Sequence, residues 1–164
     1  MQTYQAIKKR YSCRKFIKKS IPKDLIEKLV DAGRLAPTAR NIQPWEFVVI
    51  TEEDKLKEIA SIVETGRFIG EASCCIAVFC KDTKYYLEDG SAATENILIL
   101  ATDLGLGSCW VAGDKKPYSE QIRDILGVPQ EFKLVSLIAL GYPAEEKPFL
   151  EKRRLNELIH WEKF

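Results

Sequence analysis

The sequence predicts one domain in which a sheet with interior strands is wrapped by helices. Two apolar runs carry that expectation: Cys74-Cys75-Ile76-Ala77-Val78-Phe79-Cys80, and residues 132–142 with Leu134, Val135, Leu137, Ile138, Ala139 and Leu140. Both are short and apolar without alternation, as in strands covered on both faces. Helical spacing of apolar residues elsewhere supplies the cover. At 164 residues, with no internal repeat, low-complexity tract or linker, the chain reads as a single domain over 1–164. A chain of that size buries roughly 70% of the surface its unfolded form exposes.

Pro22 opens an amphipathic helix with Leu25, Ile26, Leu29 and Val30 at helical spacing, ending at Pro37. Residues 45–50 read as a strand. Thr51 with Asp54 three residues on resembles a capping box before a helix carrying Leu56, Ile59, Ile62 and Val63. Residues 89–104, rich in Ala92, Ala93, Ile97, Leu98, Leu100 and Ala101, form a helix apolar around much of its circumference, as in a core or subunit contact. Gly105-Leu106-Gly107 stops it, and Ser108 to Val111 follow as a short strand. Residues 117–126 read as one more helix. In the tail, Leu155, Leu158, Ile159 and Trp161 stand at helical spacing, a stripe that a second subunit would cover.

The 25 basic and 24 acidic residues leave a net charge of +1, so no bulk field favours nucleic acid or a membrane as partner. No apolar run is long enough to span a bilayer and Met1 is followed by polar residues, which together predict a cytosolic protein. The five cysteines, Cys13, Cys74, Cys75, Cys80 and Cys109, form no C-x-x-C pair, and one histidine accompanies them, so reduced, buried thiols are expected rather than a metal site.

Positive charge gathers at Lys8, Lys9, Arg10, Arg14, Lys15, Lys18 and Lys19. If that stretch is extended, Arg10, Ser12 and Arg14 share a face, where two guanidinium forks and a hydroxyl can hold a phosphate; the competing reading is a solvated basic stretch. The segment Ala36-Pro37-Thr38-Ala39-Arg40-Asn41-Ile42-Gln43-Pro44-Trp45 has the composition of a shaped loop that presents backbone and amide groups to a ligand. The glycine doublet at 105–107 matches neither the dinucleotide fingerprint nor the phosphate loop; it is either a helix stop or a turn bringing N–H groups to a flat ligand. His160 sits beside Trp161 and reads as structural, and Glu88 and Asp89 read as charges complementing a helix start. Ligand-holding residues without an evident acid, base or nucleophile are the pattern of a protein whose cofactor carries the chemistry.

R-x-S-x-R near the start, A-P-T-A-x-N-x-Q-P-W one helix later, G-L-G-S-C-W, the L-G-Y-P strand end and the H-W tail stand together in an order that resembles a short form of the nitroreductase family. The resemblance covers nearly the whole chain. It implies an α+β fold with a central, mostly antiparallel sheet surrounded by helices, and FMN bound at the interface of an intertwined homodimer. It further implies that Arg10, Tyr11, Ser12 and Arg14 hold the phosphate and the pyrimidine side of the flavin, with Arg14 tuning its electronics. Pro37, Thr38, Ala39 and Asn41 would come from the other subunit. Trp110, Val111, Ala112 and Gly113 would run over the ring, with the Ala112 N–H toward flavin N5. Arg67 matches a segment that approaches the flavin, and Lys152 and Arg153 fall at a further phosphate contact. The missing insertion of longer members implies an open site.

The implied activity is ping-pong transfer from NADH or NADPH, by way of FMN, to a small-molecule acceptor such as a nitroaromatic or quinone. The rival readings are a flavin-dependent oxidase or dehydrogenase and a non-catalytic flavin-binding redox module.

Overall fold

The computed structural model describes residues 2–148 and 151–164. It begins with a helix absent from the sequence reading, α1 (Thr3–Lys9), whose one buried residue is Ala6 and whose last turn carries Lys8 and Lys9. Residues 10–15 then run extended, with Cys13 buried between exposed Ser12 and Arg14, so the expected alternation is present. After β1 (Phe16–Ile17), Pro22 caps α2 (Lys23–Arg34), which buries Ile26, Leu29 and Gly33. Proline suits that position because its missing N–H would have no partner in the first turn.

The strands β2 (Trp45–Ile50), β3 (Cys74–Lys81), β4 (Gly107–Ala112) and β5 (Phe132–Pro143) form the sheet in the order β2, β3, β5, β4, with every ladder antiparallel and β1 on the C-terminal end of β5. Both faces are covered, which explains the unbroken apolar runs. Cys74, Ile76, Val78 and Cys80 of β3 pack with α2 and with α4 (Tyr86–Asp103). Cys75, Ala77 and Phe79 face α3 (Glu53–Ile62), the 3-10 segment Glu64–Glu71 and α5 (Ser119–Ile125). All five cysteines are buried and unpaired.

Two local readings change and a third, left open between two alternatives, is decided. The helix α3 starts at Glu53 with Glu52 at its cap and no side-chain cap bond; Thr51 lies one residue too early, and Glu53 and Asp54 complement the dipole instead. The glycine doublet is a helix stop. Gly105 (φ +76) follows the end of α4, its N–H donates to Thr102 O at 3.1 Å, and the Leu106 N–H donates to Ala101 O at 2.8 Å. That is a Schellman closure, and it uses N–H groups that a ligand turn would have offered. The tail forms a 3-10 turn, Leu155–Glu157, rather than a helix, and residues 151–164 are exposed throughout. A ten-residue apolar stripe has nothing to pack on within one chain, and a helix that short is marginal without packing.

Candidate functional site

The N-terminal segment and β4 build the site together. A parallel bridge joins Ser12 to Ser108, and the Cys13 N–H donates to Ser108 O at 2.9 Å. That bridge occupies the outer edge of β4 at Ser108 only. Further along, the Gly113 N–H donates to Val135 O at 2.9 Å, which continues the β4–β5 register one residue past the Ala112 and Ser136 pair. Alternation then turns the N–H groups of Trp110 and Ala112 away from β5, toward the open edge. The Ala112 carbonyl accepts the Tyr118 hydroxyl, so its N–H is the group left facing outward. At Gly113 a Cβ would lie 2.5 Å from Leu134 Cγ, so glycine lets the chain close onto β5.

Arg10 and Arg14 flank this edge. Arg10 Nε is 3.7 Å from Glu95 on α4, and the Arg14 guanidinium lies 5.8 Å from the Phe68 ring centroid while donating to Ser12 O at 3.3 Å. Phe68 belongs to the 3-10 segment that carries exposed Arg67, and Thr65 of the same segment lies beside the Tyr118 hydroxyl. Residues 10–14, 65–68, 110–112 and Tyr118 therefore share one surface.

The titrating groups here are moved away from neutrality. Burial, then Cys13 and Glu145, push Tyr11 up to about 12; burial pushes Tyr118 up; and burial pushes the Cys109 thiol up against the opposing pull of Arg14 and the Ser12 side chain. At neutral pH these remain protonated donors, and Cys109 is not a thiolate nucleophile. His160 is exposed and stacked on Phe164, with ring centroids 4.1 Å apart. The donor set of two guanidinium groups, a hydroxyl and open strand-edge N–H groups fits an anionic head carrying a flat polar ring.

The loop at residues 37–43 is held by Asp89 of α4. The Thr38 hydroxyl and the Ala39 N–H each donate to the Asp89 carboxylate at 3.0 Å, and the Gln43 N–H donates back to Thr38 Oγ1 at 3.2 Å. Asn41 Oδ1 accepts from Gln43 Nε2 at 3.1 Å. Arg40, Asn41 and Gln43 hold φ of 57°, 56° and 52°, a conformation that costs about 1–2 kcal/mol for an ordinary side chain. Among the described residues no hydrogen bond or ion pair links this loop to residues 10–14. Lys152 is likewise exposed, and Arg153 is engaged by Glu157 of its own turn. Asp89 and Tyr118 were not found from sequence: Asp89 reads as a helix-start charge, and its loop partner lies 50 residues away.

The sequence pattern of the Nitroreductase family matches residues 7–73 and 68–142. The chain belongs to the nitroreductase family. As a nitroreductase-family chain it is 38% identical to an Archaeoglobus fulgidus protein named as an NADH dehydrogenase/NAD(P)H nitroreductase, over 94% of each. The fold agrees: an FMN-dependent nitroreductase of Clostridium difficile R20291 superposes with a TM-score of 0.91 at 29% identity, covering 97% of this chain and 98% of that one. A nitroreductase of Desulfovibrio desulfuricans in complex with FMN superposes with a TM-score of 0.86 at 26% identity, covering 100% and 98%. This nitroreductase-family chain has, among its described residues, no helix long and apolar enough to cross a membrane.

Proposed function

We propose that the protein is an FMN-dependent NAD(P)H oxidoreductase that works as a homodimer, with a small-molecule electron acceptor as second substrate. The observation that carries this reading is the open β4 edge at Trp110 and Ala112 beside Arg10, Ser12 and Arg14, in a chain of the nitroreductase family. When bound, FMN supplies two-electron transfer between a reduced nicotinamide and the acceptor.

The chain's own residues do the holding. Arg10 and Arg14 present guanidinium forks suited to a phosphate, Ser12 adds a hydroxyl, and Tyr11 is tied by its own hydroxyl to Glu145 O at 2.9 Å. The outward N–H of Ala112 suits a ring acceptor, and its carbonyl is braced by Tyr118, which fixes the direction of that N–H. Arg67 reaches the same surface on its 3-10 segment. Lys152 and Arg153 add positive charge from the tail. No side chain here needs to act as acid, base or nucleophile, so the protein's contribution is orientation and electrostatics.

Two features support the dimer. Among the described residues no hydrogen bond or ion pair joins the loop carrying Pro37, Thr38, Ala39 and Asn41 to residues 10–14, and the tail leaves Leu155, Leu158, Ile159, Trp161 and Phe164 in water. Large apolar side chains left together on a surface mark an interaction site. The reading is tested by titrating the flavin-free protein with FMN and with riboflavin, following flavin fluorescence. The expected result is one FMN per chain and riboflavin binding weaker by a factor of ten or more, since it lacks the phosphate. Equal affinity for the two would remove the phosphate role of Arg10, Ser12 and Arg14.

A further inference from the structure

The least expected group in the fold is Asp89. It is 5% exposed, stands in the first turns of α4, and spends both carboxylate oxygens on a loop far away in sequence, one on the Thr38 hydroxyl and one on the Ala39 N–H. Its own helix is rigidly seated: the Thr94 hydroxyl one turn on lies 2.8 Å from Ser136 Oγ of β5, with both residues fully buried. The loop, by contrast, carries three left-handed non-glycine residues and exposes Arg40, Asn41, Ile42 and Gln43. A backbone in that conformation persists only when its surroundings over-determine it. Asp89 is the fixed end, and the loop is what it holds.

We infer that Asp89 is a positioning residue for the flavin site of the partner subunit: it sets residues 38–43 of its own chain in the shape that completes the site whose Arg10, Ser12 and Arg14 belong to the other chain. This rests on the homodimeric flavin reading above. Asp89 touches no ligand itself. Hydrogen bonds to a carboxylate are about twice as strong as neutral ones, so the change Asp89→Ala releases the Thr38 hydroxyl and the Ala39 N–H together. Asp89→Asn keeps the shape but can no longer accept from two donors at once without turning an amide N–H toward one of them.

The consequence is a pairing rule that a merely structural role does not produce. In a D89A homodimer both sites are defective, and in an R14A homodimer both are defective. In a mixed dimer of one D89A chain and one R14A chain, the two lesions fall together in one site, and the other is built entirely from unaltered residues. The experiment co-expresses the two variants with different affinity tags, isolates the mixed dimer by sequential capture, and titrates it with FMN beside wild type and both homodimers; circular dichroism and thermal midpoints verify folding.

The expected result is two FMN per wild-type dimer, affinity weakened roughly tenfold in D89A and by a smaller factor in D89N. The mixed dimer should show one site of wild-type affinity. Wild-type affinity in both D89A and D89N overturns the inference. So does a mixed dimer without a wild-type site, which would mean that Asp89 serves its own chain's flavin. A wild-type protein that takes up no FMN overturns the flavin reading and this inference with it.

Discussion

Removing residues 155–164 is expected to give a monomer that no longer retains flavin. Five large apolar side chains lie in this stretch, and within one chain they are 41–104% exposed. Burying such a side chain is worth about 1.5–3 kcal/mol relative to leaving it in water, so a tail seated on a neighbour supplies a substantial part of the association energy. The remaining chain keeps its own core, because no residue after 150 is buried. The truncated protein should therefore fold with a near wild-type circular dichroism spectrum, yet elute at half the mass and lose FMN on gel filtration. A truncated protein that remains a flavin-loaded dimer would show that the tail is not the clasp, and the exposed face of α1 with the half-covered face of α4 would have to hold the dimer instead.

Replacing Arg14 by Ala is expected to weaken FMN binding by about 10–100-fold, the value of a hydrogen bond to a charged group at 1.4 kcal/mol per factor of ten. Among the described residues Arg14 has no carboxylate within ion-pair distance; it rests near the Phe68 ring and on Ser12 O, so its charge is available to a ligand. Arg10, by contrast, is shared with Glu95, and the same substitution there should cost less. Loss of a positive charge beside the flavin should also lower its midpoint potential by tens of millivolts, since charge removed near a site of reduction disfavours the added electrons. Spectroelectrochemistry on R14A, saturated with FMN, measures this. An unchanged potential with unchanged FMN affinity would remove Arg14 from the site.

Much of this architecture can be read from the chain because its physical causes are local. β3 and β5 announce themselves as apolar runs, since both faces of the sheet are covered there and no solvent face imposes alternation. The alternation of Ser12, Cys13 and Arg14 is likewise local, and the structure keeps it. What escapes the sequence depends on pairing at a distance. The helix α1 has one buried residue, Ala6, and so no apolar period to detect. Asp89 looks like any helix-start acid until the loop 50 residues away comes to rest on it. Gly113 sits in the segment expected to face a ring, yet its N–H goes to Val135 and its missing Cβ makes room for Leu134. The tail has a helical period but no local partner, and the single 3-10 turn it forms in one chain, in place of a helix, follows from that.

The central claim is that this chain passes electrons from a reduced nicotinamide through FMN. The most direct measurement is the visible absorption spectrum of the FMN-loaded protein under anaerobic conditions, before and after adding NADH or NADPH. The account predicts flavin bands that bleach with at least one of the two nucleotides and return when a quinone or nitroaromatic is added. Flavin bands that persist with both nucleotides in excess would contradict it.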